Sequence, residues 1–277
     1  MTASAVRAEL PAIGDELLRE QAEYWQETLA DAPEPLELTA DRPRPAQPDP
    51  TGAIVRLELD EELAAALEAL GMRHSSHIST VLLAGWAAVL GRLSGQTDLV
   101  IGCSGNALPV RVDLSGSPTA AELLGRVEAR VRGALRNQDL AFQRVVELVQ
   151  PDGAASATPL FRAAFVWRDA PASDPELPGL EPGAVAASER CSTGGLDLSL
   201  ELGEENGGVA GQVVFATALF DRETVERYAG YLRRMLAGMA ADETRPVDRL
   251  TLVSDEERRL VVEEWNRTET PYPADSY

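Results

Sequence analysis

Chemical groups on which many enzymes depend are scarce or missing in this chain of 277 residues. All 25 of its basic residues are arginine, so a Schiff-base lysine and the lysine of a phosphate-binding loop are both excluded. The two cysteines, Cys103 and Cys191, are too few for a disulfide framework, and we expect a reduced, cytoplasmic protein. The two histidines, His74 and His77, have no Cys or His cluster beside them in the sequence to complete a metal site.

Long apolar runs are also lacking. The most apolar stretch, residues 78–93, is interrupted by Gly85 and Gly91 and contains Arg92. A transmembrane helix needs about 20 predominantly apolar residues, so this stretch is predicted to be a buried helix. The net charge of −20 repels phosphate backbones and anionic lipid, and we expect neither nucleic acid nor a membrane as a partner.

What the chain does contain is enough apolar material for a core, at 44% of its residues. Helices are predicted over residues 13–30, 61–73, 79–93, 118–137, 142–149, 222–240 and 255–265. Strands are predicted over residues 53–59, 99–102, 108–114, 160–167, 196–202 and 209–216. This mixture predicts an α/β layered domain. The strands at 99–102 and 108–114 are too close in sequence for a parallel crossover, so they are neighbours only as a hairpin or lie in different parts of the sheet.

Helix starts are marked by capping residues. Asp60, Asp221 and Ser254 are predicted N-caps, and Ser117 followed by Pro118 is predicted to open the helix that ends near residue 137.

The nucleophiles and carboxylates form no catalytic pattern. Ser104 lies in GCSG before a strand, whereas a nucleophile elbow has G-x-S-x-G before a helix. Cys103 needs a base and an electropositive site to react, and is predicted to be an ordinary residue at a strand end. Glu204 and Glu205 lie in a predicted turn and are interpreted as solvent-exposed. From the residues alone, a binding or scaffold role is predicted.

A series of short strings in a fixed order carries the most specific signal. They are Tyr24-Trp25 with Leu29, DRPRP (41–45), SGQTDLVIG (94–102), LPVRVDLSG (108–116), NQDLAF (137–142), TPLFRAAFV (158–166), LDLSL (196–200), LFDRETVERYAGYL (219–232) and EWNRTETPYP (264–273). In this order they resemble the C-terminal lobe of a condensation domain from a nonribosomal peptide synthetase. The last string resembles the linker that leads into an adenylation domain.

The resemblance implies a single lobe similar to chloramphenicol acetyltransferase, with a mixed sheet flanked by helices. It divides the chain into an N-terminal helical segment (residues 1–35), the lobe (36–257) and a linker toward an adenylation domain (258–277). In that family, carrier domains present phosphopantetheine-bound substrates to a tunnel between two lobes. Phosphopantetheine is therefore expected on carrier proteins of the same assembly line, and no cofactor or metal is expected on this chain.

The sequence departs from the family at two places. Condensation depends on a His-His-x-x-x-Asp-Gly motif in the N-terminal lobe, and this sequence contains no adjacent histidines. The family also has a longer loop, part of the tunnel floor, before the strand that begins here with Asn106-Ala107-Leu108-Pro109. Both departures predict that the chain has no catalytic residues.

Three functional hypotheses follow from the resemblance. If Met1 is the native start, the chain is a non-catalytic lobe retained as a structural platform for an adenylation domain. Trp265, Asn266 and Tyr272 are then candidate contacts, although Trp265 fits packing within its own helix equally well. The second hypothesis is a recruitment platform for a tailoring enzyme or carrier protein. The third is half of a split condensation domain, completed by a separate histidine-bearing lobe or by a homodimer. The face left by a missing lobe is expected to be polar, or covered by a homodimer or the N-terminal segment.

Overall fold

A mixed β-sheet organises the chain in a computed structural model that describes residues 3–47, 49–103, 108–149, 160–168, 190–205 and 207–264. Within these ranges the strands are β1 (Thr51–Leu59), β2 (Asp98–Cys103), β3 (Leu108–Asp113), β4 (Ala163–Arg168), β5 (Arg190–Ser192), β6 (Leu198–Glu205) and β7 (Gly208–Ala216). Their order in the sheet is β3-β2-β4-β6-β7-β1-β5. The pairs β2–β4 and β4–β6 are parallel and the other neighbours are antiparallel.

Helices flank this sheet, which confirms the predicted α/β class. They are α1 (Ala3–Thr28), α2 (Glu61–Arg73), α3 (Ile78–Ser94), α4 (Ala120–Arg136), α5 (Phe142–Val149), α6 (Arg222–Ala241) and α7 (Asp255–Arg259). A 3₁₀ turn (Val247–Arg249) precedes α7 and a π-helical turn (Leu260–Glu264) follows it. The predicted hairpin is confirmed, because β2 and β3 pair antiparallel with Ile101 opposite Val110.

Helix α3 lies at the centre of the fold and contacts α2, α4, α6 and β2. All residues from 80 to 91 are buried, which confirms the predicted buried helix. In the described part of the chain, no single helix is long and apolar enough to span a membrane; only α2 and α3 together meet that test, across a bend of 102°.

Helix α1 shares this core. Trp25 and Leu29 are both 0% exposed, and the indole Nε1 of Trp25 donates to the carbonyl of Asn137 at 2.9 Å. Gln21 adds two bonds: it donates to Asp139 at 2.8 Å and accepts from the Leu140 N–H at 3.0 Å. These bonds fasten the end of α1 to the connection between α4 and α5.

The start of α4 differs from the prediction. Thr119, not Ser117, is the N-cap: its hydroxyl accepts from the Glu122 N–H at 3.2 Å, and Glu122 accepts from the Thr119 N–H at 2.8 Å. This reciprocal capping box satisfies two backbone donors, which Pro118 at the first helical position would not do. Ser117 instead has a left-handed backbone (φ 52°) and donates to Asp248 at 2.8 Å. The predicted caps at Asp60 and Ser254 are confirmed, each accepting a backbone N–H of its helix.

The start of α6 depends on a distant carboxylate. Asp221 occupies the N-cap position as predicted, but its side chain makes no capping bond. Asp41 of the DRPRP string accepts from the Asp221 N–H at 2.8 Å and from the Thr224 hydroxyl at 3.0 Å. The segment between α1 and β1, which contains this string, therefore caps the start of α6.

A bidentate ion pair between Arg44 and Asp197 holds the same segment to the sheet. Arg44 Nη1 donates to Asp197 Oδ1 at 2.9 Å, and Nη2 donates to Oδ2. The Asp197 side chain is 5% exposed and that of Arg44 is 47% exposed. The hydrogen bond to Asp197 raises the pKa of the Arg44 guanidinium.

We predict unequal costs for breaking this pair. Arg44→Met leaves the buried Asp197 carboxylate without a counter-charge and should lower the free energy of unfolding by about 3 kcal/mol. Asp197→Asn leaves an arginine that water can reach and should cost about 1 kcal/mol. Urea unfolding measures both, with Arg42→Met as control because Arg42 pairs with Asp221 where both side chains are about half exposed. Equal losses of unfolding free energy for the two substitutions would contradict the conclusion that Asp197 is the buried partner and Arg44 the accessible one.

Candidate functional site

The segment that follows α6 is fixed to the lobe by two arginines. Arg92, in the last turn of α3, donates to the carbonyl of Leu250, and Arg234 of α6 donates through Nε to the carbonyl of Leu252. The side chains of Leu250 and Leu252 are buried beneath them, at 2% and 7% exposure. Hydrogen bonds and apolar burial therefore hold the same stretch of backbone.

Glu257 locks the next turn. Its carboxylate accepts from the Ser254 N–H at 2.7 Å, from Arg234 Nη2 at 3.1 Å and from the Tyr231 hydroxyl at 3.3 Å. Desolvation by burial raises the pKa of this carboxyl, but the bonds from Ser254, the charge of Arg234 and the bond from Tyr231 outweigh it and hold the pKa below its ordinary value. Glu257 is therefore a carboxylate at neutral pH, and α7 is tied to α6.

Apolar side chains are exposed within this anchored segment and in the turn that follows it. Val253, Leu260 and Val262 are 42%, 38% and 52% exposed, and we call these three residues the C-terminal patch. The predicted contacts Trp265, Asn266 and Tyr272 lie outside the described residues and stay predictions.

The two histidines lie at helix ends, as expected, and the described residues do not bring them together as an acid–base pair. His74 is the C-cap of α2, and its Nε2 is 3.5 Å from Glu243 Oε2, at the outer limit of hydrogen bonding. His77 caps α3: its Nδ1 accepts from the Ser79 N–H at 3.2 Å and lies 2.9 Å from Ser79 Oγ. Across the described ranges, no group of three or more His, Cys, Asp or Glu residues is arranged to hold a metal ion.

The environment of Cys103, the remaining candidate nucleophile, makes its thiol unreactive. Cys103 is the half-buried last residue of β2, and desolvation by burial raises the pKa of its thiol to about 12. Ser104 lies outside the described residues. Glu204 and Glu205 are exposed, as interpreted from the sequence, although they end β6 rather than forming a turn.

One surface of the sheet is polar at the β6-β7-β1 end. Along β1, Val55, Leu57 and Leu59 are buried while Arg56 and Glu58 between them are exposed. On the same surface Gln212, opposite Arg56 in the register, donates to Glu201 at 3.0 Å. A polar groove of about 430 Å³ follows this surface. Such a surface is stable in water without a cover.

Comparison with known proteins identifies the family to which this fold belongs. The sequence model of the condensation domain matches residues 9–262. The chain belongs to the condensation-domain family. It is 39% identical over 274 residues to malpibaldin synthetase of Mortierella alpina and 31% identical over 282 residues to a dimodular nonribosomal peptide synthase of Bacillus subtilis. Each alignment covers 93% of this chain but only 5% and 12% of the two synthetases, so the chain corresponds to a small part of those relatives.

Solved structures agree with the family. The X-domain in its complex with OxyB from teicoplanin biosynthesis superposes with a TM-score of 0.74 at 30% identity, over 86% of this chain and 56% of that one. A four-domain nonribosomal peptide synthetase bound to AMP and glycine gives a TM-score of 0.73 at 25% identity, over 86% of this chain and 20% of that one. The predicted family and fold are confirmed. The C-terminal-lobe assignment, the linker and the domain boundaries stay predictions.

Sequence reasoning identifies the Ser254 cap but not the network around Glu257. The SDEE string contains the capping-box spacing, and Glu257 fills its fourth position. The partners Tyr231 and Arg234 lie more than twenty residues earlier, and no local pattern links them to Glu257.

We predict that Cys103 resists alkylation. A thiol pKa of about 12 makes the reactive thiolate rare at pH 8, and iodoacetamide should react roughly a thousandfold more slowly than with an ordinary cysteine of pKa about 8.5. The rate should rise with pH up to about 12. Peptide mass spectrometry on a Cys191→Ser variant measures it, with the urea-unfolded protein as control. Equal rates in the folded and unfolded protein would contradict the assignment.

Proposed function

We propose that this chain is a non-catalytic condensation lobe of a nonribosomal peptide synthetase that supports a following adenylation domain. The observation that carries the proposal is the anchored segment of residues 250–257 together with the C-terminal patch. Val253 lies within this segment, and Leu260 and Val262 lie at the start of the predicted linker. A rigid surface is the requirement for a platform, because ordering a mobile segment on contact would cost binding free energy.

The chemistry of the chain supports a non-catalytic role. A condensation base must reach the attacking amine, whereas His77 uses its Nδ1 to cap α3 and His74 lies beside Glu243 and Arg73. The polar sheet surface around Arg56 and Gln212 supports a lobe whose sheet needs no apolar partner. Phosphopantetheine, in this proposal, is carried by carrier proteins of the assembly line.

A second candidate function is recruitment of a tailoring enzyme or carrier protein. The similarity to an X-domain solved in complex with OxyB, at 30% identity, favours it. In this case the partner binds a surface other than the C-terminal patch, and adenylation does not depend on the lobe.

We predict that Glu257→Gln releases the anchored segment. The neutral amide loses charge-assisted bonds, each of which contributes about 1.5–3 kcal/mol, so amide exchange over residues 250–264 should accelerate about tenfold or more. Because the folded pKa of Glu257 is lowered, the anchoring is present above its ordinary pKa of 4.5 and is lost as the pH falls through the lower folded value. Glu256→Gln, an exposed neighbour in α7, is the matched control. Unchanged protection in Glu257→Gln would contradict the network.

The platform role itself is tested in the complete synthetase. We expect the triple substitution Val253→Glu, Leu260→Glu and Val262→Glu to lower soluble yield or amino-acid adenylation, measured by pyrophosphate exchange, about tenfold or more, since charges would be buried at the contact. Leu17→Glu with Leu18→Glu, on exposed positions of α1, is the control and should have no effect.

Deletion of residues 1–257 from the complete synthetase distinguishes the platform role from the recruitment role. Collapse of adenylation or precipitation supports the platform. Intact adenylation in both the deletion and the triple variant overturns it, and a product that has then lost one modification favours recruitment.

A further inference from the structure

An apolar pocket of about 140 Å³ opens at the ends of β2 and β4, between the sheet and two helices. The start of α3 and the end of α4 form its helical wall. Its apolar lining includes Leu83, Leu108, Val110, Val131, Phe165 and Trp167. Leu135 of α4 also lines it and is 49% exposed, so the pocket reaches the surface.

The size and lining of this pocket restrict its ligand. Cavities of about 150 Å³ with apolar walls hold benzene, whereas pockets for drug-sized molecules are about 300 Å³ or larger. Among the described residues no charged side chain lines the pocket, and the Cys103 thiol in its wall is neutral because burial raises its pKa to about 12. A carboxylate or ammonium would lose its hydration there without a counter-charge.

One end of the pocket is polar. Ser79 and Thr80 line it, and the Ser79 hydroxyl is 2.9 Å from His77 Nδ1. Because Nδ1 also accepts the Ser79 N–H, it carries a lone pair and the hydroxyl is the donor. The Ser79 oxygen therefore keeps acceptor capacity for a ligand. His77 is held edge-on to Trp167, with ring centroids 5.7 Å apart, which fixes this end of the pocket.

We propose that this pocket is a binding site for a small neutral aromatic or aliphatic group that carries a single hydroxyl, the size of a phenol. The apolar body lies between Phe165 and Val131, and its hydroxyl donates to Ser79. This inference concerns the helix side of the sheet and does not depend on the platform role.

Fluorine NMR of the intact chain with four probes tests the site. We expect saturable broadening of 4-fluorophenol and, more weakly, of fluorobenzene, and none of 4-fluorobenzoate or 4-fluorobenzylamine at the same concentration. Absence of binding by both neutral probes to the folded protein would overturn the proposal. Equal binding of the charged and neutral probes would overturn it as well.

Substitutions locate the bound probe. Ala134→Met fills the pocket from α4 and should weaken both neutral probes by tenfold or more, whereas Ala129→Met, on the exposed face of the same helix, should leave them unchanged. If Ala134→Met fails to fold, Val131→Phe blocks the pocket at a half-buried position. Ser79→Ala should remove the preference for 4-fluorophenol over fluorobenzene while leaving fluorobenzene binding intact. Probe binding that survives both filling variants places the ligand elsewhere and rejects the site.

Discussion

The burial of α3 on all sides is the constraint on which the rest of the structure depends. A helix enclosed by a sheet and three other helices needs close approach at its crossings, and its glycines provide it. A Cβ at Gly85 would lie 2.5 Å from Leu236 Cδ2 of α6, and one at Gly91 would lie 2.3 Å from Leu114 Cδ1. A Cβ at either position would force a leucine side chain to move within a densely packed interior, so these glycines allow the present packing around α3. The glycines that interrupt the apolar run therefore make its burial possible.

The two proposed surfaces lie near the two ends of α3. Arg92 at the end of α3 and Arg234 on α6 together hold the segment that bears the C-terminal patch. At the opposite end of α3, Ser79 and Leu83 face the apolar pocket. The platform surface and the ligand pocket are thus at opposite ends of one rigid helix, which is why they can be perturbed independently.

Local patterns predict the elements but not the contacts between them. Apolar periodicity and capping residues locate α2, α3 and α5 within a residue or two, because these signals act over a single turn. Asp41 as the cap of α6 and Asp197 as the partner of Arg44 lie 180 and 153 residues from what they bind. The prediction of Ser117 as a cap is wrong because two capping signals overlap, and the one with reciprocal hydrogen bonds is formed. The three-residue β5 is too short for a periodic pattern to predict it.

The absence of lysine has a structural counterpart in how the arginines are used. Arg92, Arg222, Arg233 and Arg234 each donate to a backbone carbonyl of another segment. Arg111 binds both oxygens of Asp98 and also donates to carbonyls at the end of α1, among them Ala30 at 2.7 Å and Asp31 at 3.2 Å. A lysine ammonium has three donors on one nitrogen and cannot span a carboxylate and several carbonyls at once, whereas the planar guanidinium can. Replacing these arginines by lysine would therefore remove hydrogen bonds between segments while leaving the net charge unchanged.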